Sequence, residues 1–479
     1  MKNLSFNFRW ARCFSLGFLL VGPGLSVHYA EAQDFNAGAG SLSAVTVEAL
    51  SRGAPIVEYN AQQLMVPAST LKAATTAMAL ELLGPEFRFT TDFFACGTVS
   101  AGVLHGHLLV RGGGDPSLGS SFFAETQPER VLDEVQEALK AEGIERVSGK
   151  ILLDLSLYAG DAYPDGRLWE DMANYYGAAP SALSWRDNSF DLYLQSPPEV
   201  GGAVTLIDHS LGAEVPAFNT RVVAAANNKD SAYIYGHPDA DRWTIRGSIP
   251  VGRSSFRIRG ALPHPAFVFG RELQERLAAE GVDLWEEAEA GCGNRLRGVA
   301  TYQSPPLLDI LRVVNQRSHN LMADHLFLEC ARQSGKAYDW MEAREVFMAF
   351  WKARVAVDGL RIKDGSGLSP LNLVNARFLS EVLGYMYHSE HWPAFRSTLA
   401  VGGVSGTLSR MWTSDEFRGR VLAKSGTMQG TMAYCGYLQG PKGEWQSFVV
   451  MVDRFSEEAA AVRKSMELFV AERLGAMQK

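Results

Sequence analysis

Pro67-Ala68-Ser69-Thr70-Leu71-Lys72 runs directly into an apolar segment, residues 73–83, that closes at Gly84-Pro85. Alanine, leucine and methionine dominate the segment and a Gly-Pro pair stops it, so the pattern predicts a helix entered through a short loop. On such a helix Ser69 and Lys72 stand three positions apart and share a face. A hydroxyl beside an amine is a nucleophile beside a base, and the helix N-terminus adds backbone N–H groups and a partial positive charge that favour an anion. Taken alone, the serine reads equally well as a helix cap, because Ser-x-x-Lys arises by chance roughly once in a chain this long. The surrounding chain has to choose between the two.

Upstream, residues 44–50 and 55–59 alternate apolar and polar around Ser51-Arg52-Gly53-Ala54, the pattern of a β-hairpin. A hairpin that feeds a helix predicts an α/β (α+β) fold, an antiparallel sheet flanked by helices. Downstream, residues 104–110 read as a strand ending in Arg111-Gly112-Gly113-Gly114-Asp115-Pro116. Without a following Gly-Lys-Ser/Thr, that run predicts a tight turn with positive φ instead of a phosphate loop. A helix is expected at 129–143, a strand at 149–155 and an aromatic loop at 163–179. Residues 190–259, rich in Val, Ile, Thr and Tyr and broken by Gly, Pro and Asn, predict a small all-β unit. Helices follow at 269–280, 307–314, 321–330, 340–357 and 375–387, adjacent antiparallel strands at 434–438 and 445–452, and a last helix at 456–474. The stripe Val462, Met466, Phe469, Val470 and Leu474 on that helix faces mixed charges, which assigns it to packing on the sheet instead of to a membrane.

The chain has 479 residues, 47% of them hydrophobic and 20% charged, enough for several domains with substantial cores. A net charge of -8 without any Lys/Arg-rich run argues against nucleic acid as a partner. Lys2, Arg9 and Arg12 precede an apolar run at 13–21, and Ala30-Glu31-Ala32 has the small-x-small form of a cleavage site. Residues 1–32 therefore read as a secretory signal peptide cleaved near Ala32. The run is short and broken by Gly22, Pro23 and Gly24, and no later stretch has the length of a membrane span. After cleavage Cys96, Cys292, Cys330 and Cys435 remain, with three pairings open to them and no Cys-x-x-Cys spacing. No His-Glu-x-x-His spacing or comparable ligand set occurs, so neither metal nor cofactor is expected.

Two later motifs complete the first. Ser318-His319-Asn320 heads the helix expected at 321–330, and Lys424-Ser425-Gly426-Thr427 begins just before the paired strands. Singly, Ser318 and Asn320 read as caps and Lys424 as a solvated strand end. Together, in this order and in an exported chain, the three match the signature of penicillin-recognising serine acyl-transferases. No Gly-x-Ser-x-Gly elbow of an α/β-hydrolase is present. The chemistry is coherent. Ser69 needs a base, Lys72 serves only when neutral, and a second cation such as Lys424 would help keep it so. Asn320 would orient Lys72 and the substrate amide, and Ser318 would relay a proton to the leaving amine. Lys424 and Thr427, on a presumed edge strand, would meet the substrate backbone and its terminal carboxylate. The backbone N–H groups of Ser69 and Thr427 would form the oxyanion hole. His319 reads as a spacer.

With these motifs the chain resembles the D-alanyl-D-alanine carboxypeptidase and endopeptidase family, the class C low-molecular-mass penicillin-binding proteins of the type-4 kind. The resemblance extends over Gly113-Gly114-Asp115-Pro116, Ala179-Pro180-Ser181-Ala182-Leu183, Asp364-Gly365-Ser366-Gly367-Leu368-Ser369 and Gly403-Val404-Ser405-Gly406-Thr407-Leu408. It implies a penicillin-binding-protein/β-lactamase-like transpeptidase domain, residues 33–92 and 291–479, interrupted by an inserted domain at 93–185 and 262–290 that itself holds a nested β-rich domain at 186–261. Cys96 and Cys292 lie near the junctions of that insertion and are expected to pair.

The resemblance further implies a periplasmic enzyme. Its substrates are peptidoglycan stem peptides and cross-links, from which it removes terminal D-Ala or cleaves D-Ala–meso-diaminopimelate bonds, and β-lactams are its covalent inhibitors. Self-association is left open. Asp171 and Met172 of Trp169-Glu170-Asp171-Met172 would join Gln429 of Thr427-Met428-Gln429 in a pocket for the diaminopimelate side chain, a carboxylate meeting an ammonium. Pro370 stands where some relatives carry arginine, and Ser425 replaces a commoner threonine but keeps the hydroxyl. A β-lactamase or esterase would share the first motif, although no deacylating glutamate motif is evident. A catalytically weak peptidoglycan-binding protein would not need all three motifs intact.

Overall fold

The computed structural model describes residues 28–29, 35–158, 160–211, 216–285 and 296–477. The expected signal peptide, apart from His28–Tyr29, lies outside the described residues, as do Cys292 and the junction at 290/291.

Leu42–Ala49 and Ala54–Tyr59 form the expected hairpin, and Val421–Met428, Thr431–Gln439 and Trp445–Asp453 form an antiparallel meander. Trp445–Asp453 pairs with Leu42–Ala49, so one seven-stranded sheet draws on both ends of the chain. Thr431–Gln439 is buried along almost its whole length because both faces of the sheet are covered. The helices Leu71–Leu83, Leu307–Arg317, Asn320–Gln333 and Ala376–His388 share a core with one face. Against the other packs the C-terminal helix Ala459–Ala476, through the stripe that the sequence assigned to it. Among the described residues no helix is long and apolar enough to cross a membrane.

Two features of this frame position the site. Leu71 to Leu80 are buried on every side of their helix, so a lysine in its first turn is carried into the core. At the sheet edge, Ala400–Val401 pairs only with Leu422 and Ala423, which leaves Lys424 to Met428 without an outer neighbour among the described residues.

A second, mixed sheet contains Thr90–Ser100, Val103–Arg111, Lys150–Asp154, Gly281–Leu284 and Leu296–Gln303, with Pro128–Ala141 and Pro265–Leu277 packed on it. The glycine turn at the end of its central strand, Val103–Arg111, behaves as expected: Gly114 has φ +75°, and a Cβ on Gly113 would come within 2.0 Å of the Thr90 carbonyl oxygen. Between residues 189 and 261 two three-stranded sheets close on a shared core that includes Phe190, Leu192, Ile234, Trp243 and Ile245. Cys96 is disulfide-bonded, while Cys330 and Cys435 are buried free thiols.

Candidate active site

The turn before the Ser69 helix is tight. Ala68–Thr70 forms one 3₁₀ turn, with Ala68 held at φ +45°, and Gly367 packs so closely on it that a Cβ would lie 1.9 Å from the Ala68 carbonyl oxygen. The strand Val421–Met428 closes in from another side. A Cβ on Gly426 would stand 2.9 Å from the backbone nitrogen of Ser69 and 2.9 Å from the Pro67 carbonyl oxygen, so the third motif requires glycine there.

Ser69 lines a cleft of about 1070 Å³ together with Ser318, Asn320, Thr427 and Gln429. Lys72 lies beneath it, fully buried. Its Nζ sits 2.8 Å from Ser69 Oγ, 2.6 Å from Asn320 Oδ1 and 2.6 Å from the Ser366 carbonyl oxygen. Asn320 is oriented by its Nδ2, which donates to the Tyr176 carbonyl at 2.8 Å. Lys424 is fully buried as well and donates to Ser318 Oγ at 3.0 Å. Ser318 takes a left-handed conformation, φ +60°, between two helices, and His319 caps the second by accepting from Met322 N.

Ser425 faces away from this group. Side chains alternate along a strand, so when Lys424 points inward Ser425 points outward, and its hydroxyl donates to Thr407 Oγ1 at 2.7 Å.

Burial is the leading reason that Lys72 has its pKa lowered to about 7, with a smaller push from Arg167, while Asp324 and Asp364 pull the other way. This differs from the expectation that the Lys424 charge would do the work. The Lys424 amine is itself driven well below its ordinary range, by burial first and then by Lys72. Two amines in one dry site each resist ionisation.

Sequence reasoning missed three charged groups in this network. Arg167 Nη2 lies 2.9 Å from Asp324 Oδ2 and 3.9 Å from Asp364 Oδ2, all three side chains being buried. Asp324 was visible as a lone carboxylate one helical turn past Asn320, a position where burial is costly without a partner. Asp364 opened a motif already singled out. Arg167 gave no local signal.

Asp171 and Gln429 line the cleft, and burial raises the pKa of the Asp171 carboxyl, which the Tyr176 hydroxyl contacts. Met172 is not among the cleft residues. At the end of the short helix Trp169–Met172 it turns into a neighbouring cavity of about 600 Å³ beside Tyr163. Pro370 does reach the cleft, as do Phe122, Tyr175, Tyr176, Tyr233, Tyr235 and Arg259 from the opposite wall.

The profile of the D-Ala-D-Ala carboxypeptidase 3 (S13) family matches residues 29–473. A D-alanyl-D-alanine carboxypeptidase of Haemophilus influenzae is 26% identical over 415 residues, covering 84% of this chain and 83% of that one. Another, from Actinomadura sp. (strain R39), is 26% identical over 460 residues, 91% and 82% of the two chains. The crystal structure of penicillin binding protein 4 from Haemophilus influenzae superposes with a TM-score of 0.77 at 24% identity, over 91% of this chain and 97% of that one.

Proposed function

The chain belongs to the D-Ala-D-Ala carboxypeptidase 3 (S13) family, and we propose that it is a serine DD-peptidase of peptidoglycan that removes terminal D-Ala, cleaves D-Ala–meso-diaminopimelate cross-links, or does both, through an acyl-enzyme on Ser69. The observation that carries this reading is the coordination of Lys72. A neutral amine has two N–H donors and one lone pair. Asn320 Oδ1 and the Ser366 carbonyl can only accept, so they take the two N–H groups and leave the lone pair for the Ser69 hydroxyl, 2.8 Å away. A lowered amine pKa populates that neutral form near pH 7.

Ser69 Oγ attacks the carbonyl carbon of the penultimate D-Ala as its proton passes to Lys72 Nζ. The oxyanion is held by the backbone N–H groups of Ser69 and Thr427. Ser318, bonded to Lys424, protonates the leaving nitrogen as the C–N bond breaks, and the lysine pair restores its proton. Water then attacks the ester, releasing the shortened peptide and Ser69. Lys424 and Thr427 receive the terminal carboxylate of the leaving residue, and Asp171 with Gln429 meets the diaminopimelate side chain. On this reading residues 33–92 and 291–479 form the catalytic part, supported by the sheet to which both ends contribute strands. The pattern of residues 1–32 supports a periplasmic location.

A fluorescent penicillin should label the wild type, and Ser69→Ala should abolish the label. Labelling that persists in the variant would sink the assignment. Digestion of purified cross-linked muropeptides, followed by mass analysis, separates loss of D-Ala from conversion of dimers to monomers.

A further inference from the structure

The buried arginine beneath the cleft has no part in the steps above, yet it enters the site from a segment far from any of the three motifs. We propose that Arg167 is a positioning residue for the lysine base: its guanidinium bridges Asp324 and Asp364 and thereby fixes the loop at 364–369 whose Ser366 carbonyl binds Lys72. This rests on Lys72 acting as the base.

The loop is strapped at almost every residue. Asp364 Oδ1 accepts from Gly367 N at 2.7 Å and from Asn372 Nδ2 at 2.9 Å, and its Oδ2 accepts from Ser369 N at 2.8 Å. Asp324 Oδ1 accepts from Gly365 N at 3.1 Å, and Thr75 Oγ1 donates to the Gly365 carbonyl at 2.7 Å. Ser369 Oγ donates to the Gly166 carbonyl at 2.9 Å, which ties the loop to the segment that carries Arg167. The two carboxylates that hold the loop are both fully buried, and two buried anions near each other are costly unless a cation joins them. Arg167 is that cation, with a side chain only 1% exposed. Its Nε and Nη1 have no hydrogen-bond partner among the described residues, so a full set of hydrogen bonds does not explain its placement.

The bridge also sets the charge around the base. Asp324 and Asp364 draw Lys72 toward the ammonium form, and Arg167 opposes them. Its other charged neighbour is Asp171, and Tyr158 and Tyr163 lie within its field. Facing Lys72 from the remaining elements are the neutral Ser69 and Asn320, with Lys424 and His319 further out, both of whose pKa values burial lowers. Burial raises the Asp324 pKa to about 6, against the pull of Arg167, so wherever Asp324 is ionised, removing the arginine charge leaves the carboxylates unopposed. The amine then holds its proton to higher pH, and since acylation requires the neutral amine, the acid limb of the acylation profile moves to higher pH. Neutralising Asp324 acts with the opposite sign.

The test measures the acylation rate of the full-length protein by benzylpenicillin across pH 5 to 10. Arg167→Gln should move the acid midpoint up by about one pH unit, and Asp324→Asn should move it down. Arg167→Lys, which keeps the charge, should restore the wild-type midpoint. A residue that merely supported the fold would lower the rate in all three without opposite displacements. A folded Arg167→Gln with a wild-type midpoint, or both neutralising variants moving the same way, overturns the proposal. Should Arg167→Gln lack a cooperative melting transition, Arg167→Met, which keeps the length of the side chain without its charge, takes its place: a midpoint moved up supports the bridge, and a wild-type or lowered midpoint rejects it. Failure of the wild type to acylate at all would instead remove the DD-peptidase reading on which this rests.

Discussion

The two walls of the cleft are built on different principles. On the Ser69 side Lys72, Lys424, Asp324 and Asp364 have no solvent exposure, and each is tied to backbone or to another charge. On the opposite side Tyr175 and Tyr233 are 44% and 45% exposed, and the contacts are between rings and cations, such as Arg259 4.0 Å over Tyr175. Dry, bonded groups hold their geometry and feel strong fields, as proton transfer to and from a lysine demands. Exposed rings contribute area that can adapt to a ligand. Substitutions in the first wall should therefore change the acylation rate with any β-lactam, whereas those in the second should change the apparent affinity for stem peptides and leave penicillin alone.

The hardest test of the first wall uses a residue with no chemistry. Gly426→Ala adds one methyl group within 2.9 Å of the Ser69 nitrogen, a backbone atom that cannot swing aside. Either the strand or the turn that carries Ser69 must move. A displacement approaching 1 Å costs about a hundredfold in reactions that depend on alignment, so penicillin acylation should fall by about that factor, with folding checked by thermal melting. Near-normal acylation would mean that the wall is softer than its bonding indicates.

Asp171 sharpens the comparison because it lies on the recognition side yet is 8% exposed. Asp171→Asn keeps the shape and removes the charge. A charge-assisted bond to a substrate ammonium is worth about 1.5–3 kcal/mol, so kcat/KM for diaminopimelate-containing peptides should drop at least about tenfold while penicillin labelling holds. On the proposed reading the carboxylate must be ionised to meet an ammonium, and burial raises its pKa, so acidification should weaken peptide binding at a higher pH than an ordinary aspartate allows. Equal losses with peptide and penicillin would move Asp171 into the catalytic wall.

The same division separates what could be read in the chain from what could not. Ser69, Lys72, Ser318, Asn320 and Lys424 announce themselves within three short motifs, the hairpin and the C-terminal stripe follow from periodicity, and the buried helix follows from its composition and its Gly84-Pro85 stop. The strand Thr90–Ser100 was missed because its partner, Leu296–Gln303, is remote in sequence and its own pattern, Thr-Thr-Asp-Phe-Phe-Ala-Cys, does not alternate cleanly. The parallel pairing of Val103–Arg111 with Lys150–Asp154 has no local turn to mark it. Arg167 was invisible because its meaning depends on two carboxylates 157 and 197 positions away, brought together only by the fold. Burial, the leading cause of the lowered Lys72 pKa, is hidden for a related reason: spacing shows which charges accompany a group, but not how completely it is buried.

Tyr233 offers the smallest effect and the cleanest check on the recognition wall. It sits on the strand Ser231–Tyr235, lines the cleft and is nearly half exposed, and Tyr235, two residues on, shares its face and leans on Trp169 with centroids 5.2 Å apart. Substrate can cover only part of such a ring. Shielding roughly 25 Å² of it at about 25 cal/mol per Å² amounts to about 0.6 kcal/mol, so Tyr233→Ala should raise KM for cross-linked muropeptides about threefold without altering kcat, acylation by penicillin or the melting temperature. A fall in kcat would show that this ring helps to align the scissile bond, and the recognition wall would then share in the rigidity so far confined to the side that holds Ser69.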